Sequence, residues 1–413
     1  MLNKQKYHFE CIDCKTMYEA DEVTYLCPVC DKGNSLDIPP KGVLKTVYDY
    51  KSLIDNKIGF EELKRNSFLD LLPIENIDSL PNLRVGNTPL YKTRKSVNED
   101  NSCIVYLKDD SQNPTYSFKD RASALVSAFA KEKGIDTIVA ASTGNAGSSL
   151  AGICATQGQK AIILVPESAP KAKLTQIVMY GAKIIPVKGT YDDAFDLSIK
   201  ATKEFGWYNR NTAFNPFTIE GKKSVSFELY EQLGYQVPDR IFVPVGDGVI
   251  ISGVFKGFED LLKLNIIDKM PCVVAVQSMG SDNLISNIGN KSFKVKSSDT
   301  IADSISVDIP RNYYMAIDFI DKYKGEVLAV SDEDIINASA VLSKNNGLFA
   351  EPAAATAYAG ILDYMASGKL AKNSKNVVLL TGSGLKDLNS VQSIIELPDA
   401  IAPTLNNLKE LII

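Results

Sequence analysis

The chain has 413 residues, of which 45% are hydrophobic and 23% are charged. A chain of this length can bury a large core, so its composition excludes a disordered tail or a small scaffold. Its 45 lysines and arginines nearly balance 50 aspartates and glutamates, for a formal net charge of -5. Because no long run of one sign predicts a nucleic-acid surface, we expect a small-molecule ligand and no nucleic-acid partner.

The N-terminal residues, MLNKQKYHFECIDC, lack the apolar core of a secretory signal. No later stretch approaches the roughly 18 to 20 uninterrupted apolar residues that a membrane helix needs. These features predict no membrane association and a cytoplasmic location. The single histidine, His8, lies in a stretch typical of a short strand and is interpreted as a solvated residue. A mechanism that needs a histidine base is therefore disfavoured.

Four of the seven cysteines fall within the first thirty residues, at Cys11, Cys14, Cys27 and Cys30. Two Cys-x2-Cys turns resemble a zinc ribbon, in which each turn offers two thiolates to one tetrahedral ion. Idle thiols or a pair of disulfides are the alternatives, and a reducing compartment disfavours disulfides. Four thiolates leave no open position for substrate, so the pattern predicts a structural zinc ion.

From about residue 102, short β-branched runs alternate with longer amphipathic runs, as in a β-α-β series. The predicted strands cover 103–108, 137–142, 161–166, 183–188, 240–245, 272–278, 326–330 and 376–380. The predicted helices cover 119–134, 145–158, 171–182, 249–263 and 331–347. The strands are almost continuously apolar, which fits a parallel sheet covered on both faces. The sequence therefore predicts an α/β protein with two doubly wound lobes and a ligand at the strand carboxyl ends. Residues 1 to about 85 form an N-terminal extension.

Lys119 lies at the start of a predicted helix. A lysine there is unfavourable, because its charge opposes the positive end of the helix dipole. If it is also partly desolvated its pKa falls, which suits an amine that must form a Schiff base. The alternative is a solvated surface lysine.

Two other loops connect a predicted strand to a predicted helix. Residues 141–147, ASTGNAG, and residues 244–253, PVGDGVIISG, combine small hydroxyl side chains or glycines with unpaired backbone N–H groups. This combination favours an anion such as a carboxylate or phosphate, and ordinary structural turns are the alternative. The second loop is not the Gly-x-Gly-x-x-Gly dinucleotide motif, because Ile251 stands where the third glycine would be.

Taken in order, these loops resemble pyridoxal-phosphate (PLP) enzymes of fold type II, the superfamily of tryptophan synthase β and threonine synthase. The resemblance is carried by GNTPL at 86–90, SFKDR at 117–121, STGN at 142–145, EPA at 351–353 and TGSGLKD at 381–387. It implies two doubly wound α/β lobes with an N-terminal zinc ribbon. We assign 1–40 to the ribbon, 41–120 and 216–413 to a large PLP-binding domain, and 121–215 to a small α/β domain.

The resemblance also implies roles for individual residues. Lys119 would be the Schiff-base lysine, and Phe118 would lie against the cofactor ring. Asn145 would hydrogen-bond the ring 3'-oxygen, and Thr381 would face the pyridine nitrogen. The backbone N–H groups that would cradle the cofactor phosphate are those of Gly246, Asp247, Gly248, Val249 and Ile250. The residues that would hold the substrate carboxylate are Ser142, Thr143 and Gly144.

Within the superfamily, TGSGLKD and the ribbon favour threonine synthase, a lyase of amino-acid biosynthesis that makes threonine and phosphate from O-phosphohomoserine and water. The alternative is a β-elimination or β-replacement relative, such as cysteate synthase, an amino-acid ammonia-lyase or a dehydratase. Either reading implies an amino-acid substrate, and we expect a homodimer.

Two positions depart from the threonine synthase pattern. Thr218 stands where an arginine usually grips the substrate phosphate, which favours the alternative. Asp247 stands where asparagine is common, and a carboxylate pointing at a second phosphate would repel it. The residues that could supply the missing charge from nearby are Arg210, Lys222 and Lys223.

Overall fold

The structure, a computed structural model, describes residues 5–35, 37–93, 103–395 and 397–412. The strands are β1 Tyr7–Cys11, β2 Met17–Glu19, β3 Leu44–Tyr48, β4 Leu90–Lys92, β5 Ile104–Asp109, β6 Thr137–Ala141, β7 Lys160–Pro166, β8 Lys183–Val187, β9 Tyr208–Asn209, β10 Arg240–Pro244, β11 Cys272–Ser278, β12 Glu326–Val330 and β13 Lys375–Leu380.

The helices alternate with these strands over most of the chain. They are α1 Tyr50–Asp55, α2 Phe60–Arg65, α3 Lys119–Glu132, α4 Asn145–Gln157, α5 Lys171–Met179, α6 Tyr191–Phe205, α7 Phe217–Lys222, α8 Ser224–Gln232, α9 Val249–Lys263, α10 Tyr313–Tyr323, α11 Asp332–Asn346, α12 Pro352–Ala366 and α13 Leu405–Ile412.

The strands form three sheets, two of them built mainly from parallel pairs. The N-terminal sheet has the order β2-β1-β3 and is antiparallel. A six-stranded sheet has the order β12-β11-β10-β13-β5-β4, in which only β4 runs antiparallel to its neighbour. A four-stranded parallel sheet has the order β8-β7-β6-β9. The α/β fold with two parallel lobes is thereby confirmed.

The predicted strands and helices lie within a few residues of the observed ones, because their apolar patterns are strong. All five residues of β6, TIVAA, are buried, as expected for a strand covered on both faces. Several elements were not predicted from the sequence: helices α6, α7, α8, α10, α12 and α13 and the short strands β2, β4 and β9. The strand β3 lies beyond residue 40, where we placed the end of the ribbon, and it pairs with β1.

Helix α7 packs between α3 and α9. Lys119 is the first residue of α3, and α9 begins directly after Gly248. A side chain at Gly221 would collide with the backbone oxygen of Arg121 in α3. On its other side, a Cβ at Gly253 of α9 would lie 2.7 Å from the Cβ of Lys222. These glycines let three helix backbones approach closely, so small movements of α7 are resisted by its neighbours.

No helix in the described parts of the chain is both long enough and apolar enough to cross a membrane.

Candidate active site

A cavity of about 420 Å³ lies at the carboxyl ends of β6, β9 and β10, between the two parallel sheets. Its lining consists of 140–146, 210–212, 244–251 and 303–309, with Lys119, Tyr191, Asp192, Lys222 and Arg311. Ligands of open parallel sheets bind at strand carboxyl ends, where loops and helix N-termini converge. The cavity therefore brings together Lys119 and both strand-to-helix loops that the sequence singled out.

Lys119 is the first residue of α3 and faces the cavity. Within the described residues its Nζ forms no hydrogen bond and no ion pair. Burial lowers the pKa of this amine below its ordinary value, and the nearby Arg210 guanidinium lowers it further. A partly desolvated amine beside a second cation is readily deprotonated, which makes it a competent nucleophile and proton carrier.

The loop from Ser142 to Gly144 joins β6 to α4 and lines the cavity, as does Asn145 in the first turn of α4. The Asn145 side-chain amide donates to both oxygens of Glu351, at 2.9 and 3.1 Å. Glu351 lies just before α12 and is only 4% exposed. This contact fixes the amide of Asn145, and the sequence did not predict it, because the partners are 206 residues apart.

The loop before α9 provides a concave stretch of backbone at the cavity wall. Gly248 has φ +84°, a left-handed conformation that favours glycine, and it is directly followed by α9. A Cβ at Gly246 would lie 2.9 Å from the Cα of Ile305, so a larger residue would disturb the opposite wall. The first N–H groups of a helix have no partner within that helix. Residues 246–250 therefore present donors that suit an anion.

Asp247 lies in the same loop, but its carboxylate is engaged by the protein. Its Oδ1 accepts a hydrogen bond from the backbone N–H of Arg311 at 3.1 Å, and its carbonyl oxygen accepts from Asn312 N at 2.9 Å. Burial raises the pKa of the Asp247 carboxyl above its ordinary value, although Arg311 opposes the rise. One oxygen of the Asp247 carboxyl is thus held by the segment that carries Arg311.

Phe118 and Thr381 lie beside the cavity and are not part of its lining. Phe118 N donates to the Thr381 carbonyl oxygen at 2.8 Å, and this bond joins the SFKDR and TGSG segments. The Phe118 ring is fully buried, with the Arg121 guanidinium 5.4 Å from its centroid. Both residues fix the backbone immediately before Lys119.

Two further cations reach the cavity from the segment 210–222. Arg210 is 1% exposed, and its Nε donates to Ser123 Oγ at 3.1 Å, while its Nη2 has no hydrogen-bond partner among the residues that the structure describes. Lys222 is equally buried and its Nζ donates to the Thr218 carbonyl oxygen at 3.1 Å. Burial lowers the pKa of Arg210 to about 10, and burial with repulsion from Arg210 places the pKa of Lys222 well below its ordinary value.

Thr218, at the position of the expected arginine, and Lys223, a candidate for the missing charge, do not line the cavity. Thr218 is fully buried, and its hydroxyl donates to the carbonyl oxygen of Asn215 at 2.8 Å. Lys223 contacts Glu220 at 2.6 Å and Asp260 at 2.7 Å, on the side of α7 away from the cavity. Of the candidates named from the sequence, Arg210 and Lys222 are therefore the two that the fold directs into the site.

Several lining residues were missed by sequence reasoning. Arg311 forms an ion pair with Asp192, and its guanidinium lies 5.0 Å from the centroid of the Phe195 ring. Residues 303–309 form the opposite wall. These residues lie in irregular segments far from any recognised motif, so no local pattern marks them.

The four N-terminal cysteines form a second cluster, away from the cavity. The Sγ atoms of Cys11, Cys14, Cys27 and Cys30 all lie within 4.8 Å of one another. The Cys11–Cys30 and Cys14–Cys27 sulfur pairs are 3.8 and 3.7 Å apart. All four thiols are free. Their arrangement is that of a potential metal site.

A model of the family described as "Pyridoxal-phosphate dependent enzyme" matches residues 82–382. The chain is 35% identical over 411 residues to the threonine synthase of Methanocaldococcus jannaschii, a match that covers 97% of this chain and 98% of that protein. It is 32% identical over 415 residues to the threonine synthase of Methanosarcina acetivorans, with 98% of each covered.

Solved structures show the same architecture. The processed form of threonine deaminase isoform 2 from Solanum lycopersicum superimposes with a TM-score of 0.64 at 21% identity, covering 75% of this chain and 84% of that chain. Maize serine racemase superimposes with a TM-score of 0.63 at 24% identity, and the match covers 75% of this chain and 92% of that chain. At these identities the likeness concerns the fold alone.

Fold and cavity together define a PLP-dependent enzyme of fold type II. The chain belongs to this family and, within it, to the threonine synthases.

Replacing Arg210 should change the titration of Lys119. In cofactor-free protein, Arg210→Met removes a positive neighbour, so the pKa of Lys119 should rise towards its ordinary value. The pH midpoint for acylation of Lys119, followed by mass spectrometry, should then move upward. Arg210→Lys keeps the charge and is the control, whose midpoint should stay near that of the native chain. Equal midpoints in all three proteins would show that Arg210 does not act on Lys119.

Proposed function

We propose that the protein is a threonine synthase that converts O-phosphohomoserine and water to threonine and phosphate, with PLP as cofactor. The observation that carries this proposal is the pair of buried cations, Arg210 and Lys222, that reaches the cavity in addition to a backbone cradle for one phosphate. A cofactor phosphate and a substrate phosphate require two anion sites. Membership of the threonine synthase family supports the same reaction.

The residues at the cavity fit PLP. Lys119 offers an unpaired amine of lowered pKa for the cofactor aldehyde. The N–H groups of Gly246, Asp247, Gly248, Val249 and Ile250 would receive the cofactor phosphate at the start of α9. Asn145, oriented by Glu351, would bond the ring 3'-oxygen. Phe118 would lie against the cofactor ring, and Thr381 would face the pyridine nitrogen.

When bound, PLP supplies an electron sink for negative charge that develops next to the substrate amino group. The chain's own groups then direct the reaction. The Nζ of Lys119 would take a proton from the substrate and return it at another carbon, because it is the basic amine facing the cavity. A hydroxyl at Thr381 cannot protonate the pyridine nitrogen as a carboxylic acid could, which favours elimination and replacement over transamination.

Substrate binding would use neutral hydrogen-bonding groups and cations around Lys119. Ser142, Thr143 and Gly144 would hold the substrate carboxylate with hydroxyl and N–H groups. Arg210 and Lys222 would hold its phosphate. Buried cations that form no ion pair are costly, and a dianion between them would offset that cost and favour their charged forms. The leaving phosphate would be stabilised by the same two groups.

We also propose that the four-cysteine cluster binds zinc. Four sulfurs at about 2.3 Å from one tetrahedral ion lie roughly 3.8 Å apart, and the two measured pairs, at 3.8 and 3.7 Å, fit this spacing. Such a closed site would stabilise the N-terminal sheet and take no part in chemistry. A four-thiolate site persists in a reducing compartment, which supports our inference of a cytoplasmic protein.

Two further proposals concern organisation. We infer that the domains follow the sheets: 1–40 begins the ribbon, 121–215 holds the four-stranded sheet, and 41–120 with 216–413 holds the six-stranded sheet. We also infer a homodimer. Exposed apolar side chains near the C-terminus, including Leu397 at 86% and Leu405 at 74%, favour an association surface there.

The holoenzyme should convert O-phosphohomoserine to equal amounts of threonine and phosphate, measured by amino-acid analysis and a phosphate assay. Lys119→Ala should lower the rate by about a hundredfold or more, because proton transfer loses its carrier. Lys188→Ala, at an exposed lysine outside the lining, is the control. Rapid formation of 2-oxo acids from L-serine or O-phosphoserine, with no threonine from O-phosphohomoserine, would instead assign the β-elimination alternative.

Removing either cation should weaken recognition of the substrate phosphate. Arg210→Met and Lys222→Met should each lower kcat/KM for O-phosphohomoserine by about tenfold or more, because each removes a charge-assisted contact. Arg210→Lys should retain part of the activity. The affinity for L-threonine, which carries no phosphate, should stay unchanged in all three variants. An equal loss of affinity for both ligands would mean that these residues maintain the fold and do not read the phosphate.

The purified protein should contain about one zinc ion per chain. Cys27→Ser should lose the metal and lower the thermal midpoint, because the ion binds only the folded form. Its PLP absorption should remain normal in the protein that stays folded. Cys272→Ser, at a partly exposed thiol outside the cluster, is the matched control and should keep its zinc. Full metal content in Cys27→Ser, measured by atomic emission, would refute the four-cysteine site.

A further inference from the structure

The two cations that we assign to the substrate phosphate come from one short segment, residues 208–222. It begins with β9, which pairs with β6, and Arg210 N continues this pairing by donating to the Val139 carbonyl oxygen at 2.8 Å. It ends with α7, whose last residue is Lys222. The placement of Arg210 and Lys222 relative to one another therefore depends on what holds this segment at its two ends.

The N-terminal region contacts the beginning of the segment through Tyr25. The Tyr25 hydroxyl accepts the backbone N–H of Asn209 at 2.9 Å. The Tyr25 ring stacks on Phe214, with centroids 4.4 Å apart and planes inclined by 18°, and also contacts Tyr208. Because Asn209 directly precedes Arg210, these contacts fix the backbone that carries the guanidinium.

The N-terminal sheet contacts the end of the segment from two of its strands. Tyr7 and Phe9 of β1 pack on Phe217, the first residue of α7, with centroids 5.9 and 5.7 Å away. Tyr48 of β3 donates its hydroxyl to Glu220 Oε2 at 2.7 Å, and both side chains are buried. A buried bond from a hydroxyl to a carboxylate is strongly directional.

Helix geometry connects Glu220 to the cavity. Successive residues of an α-helix are about 100° apart, so side chains two residues apart leave the helix on nearly opposite sides. Glu220 thus points to the N-terminal sheet while Lys222 points into the cavity. Helices α3 and α9 and the ion pair of Glu220 with Lys223 also restrain α7, so we expect loss of the Tyr48 contact to permit a small rotation, and any rotation of α7 would move Lys222 in the cavity.

We propose that the N-terminal sheet β1–β3, together with Tyr25, is a positioning element for the anion site: it holds both ends of 208–222 and thereby sets the affinity of the cavity for a phosphate-bearing substrate. This inference rests on the proposed assignment of Arg210 and Lys222. It gives the ribbon a role in substrate recognition. The N-terminal region also contacts α9, through Lys45 with Glu259 and Tyr50 with Asp260, but these contacts lie in the second half of that helix, about two turns beyond the residues that would cradle the cofactor phosphate.

The test uses Tyr48→Phe in the holoenzyme. Tyr323→Phe is the matched control, because the Tyr323 hydroxyl also donates to a buried glutamate, Glu259, at 2.7 Å, but touches neither end of 208–222. Tyr48→Phe should raise the dissociation constant for inorganic phosphate and KM for O-phosphohomoserine by about threefold to tenfold. The kcat, the PLP absorption and the affinity for L-threonine should stay near those of the native protein.

Hydrogen exchange provides a readout that does not depend on activity. Peptides covering 208–222 should exchange faster in Tyr48→Phe, with no change in peptides covering the start of α9. Tyr25→Phe alters the other end of the segment and should also raise the dissociation constant for phosphate. This second variant keeps the test decisive if Tyr48→Phe folds poorly. Tyr323→Phe should change neither quantity.

The outcomes separate the two proposals. If the native holoenzyme binds no phosphate and does not turn over O-phosphohomoserine, the assignment of the anion site is wrong and this inference falls with it. If the native protein binds phosphate but Tyr48→Phe and Tyr25→Phe match Tyr323→Phe in phosphate affinity, the positioning role alone is overturned. A parallel loss of affinity for L-threonine would also overturn it, since that indicates general loss of structure.

Discussion

Positive charge that the protein does not neutralise is the constraint around which the site is built. Lys119, Arg210 and Lys222 converge on one cavity, and none of the three forms an ion pair with a carboxylate in the described part of the chain. Burial removes the stabilisation of water and lowers the pKa of each group, and repulsion from Arg210 lowers the pKa values of Lys119 and Lys222 further. The fold must hold these cations in place despite the free-energy cost of burying them. A ligand with two negative charges would offset that cost.

The surrounding structure supplies the required rigidity through charges that are fully paired. Arg121, two residues after Lys119, bonds Asp110 at 2.6 Å and Glu228 at 2.5 Å, and Lys108 bonds Glu228 at 2.6 Å. These contacts tie the start of α3 to β5 and α8, while the glycine contacts of α7 fill the space between. Charges behind the site are paired, and the three converging cations of the cavity form no ion pair among the described residues. Lys222, the last residue of α7, and Lys223, which follows it, show this difference at adjacent positions.

Whether a structural feature could be predicted depends on how far apart in the sequence the residues that form it lie. Strands such as β6 and the loops at their ends were predicted, because apolar runs, glycines and small hydroxyl residues are local signals. The pattern at 113–121 likewise placed Lys119 at a helix start. The bond between Asn145 and Glu351, the ion pair of Arg311 with Asp192 and the packing of Tyr25 on Phe214 join residues more than a hundred positions apart, so a single sequence contains no local trace of them.

The position of the charge that we assign to the substrate phosphate illustrates the same limit. The sequence places threonine at 218, which suggested a substrate without a phosphate, but residue 218 is buried in α7 and does not border the cavity. Residues 210 and 222 do border it, because β9 ends at the strand carboxyl edge and the last turn of α7 lies against the same cavity. A cation can therefore be replaced from another position of the same segment, provided that the segment stays fixed. Under our proposal, contacts from an N-terminal sheet remote from the chemistry would affect which substrate the cavity accepts, since they act on the backbone from which both charges project.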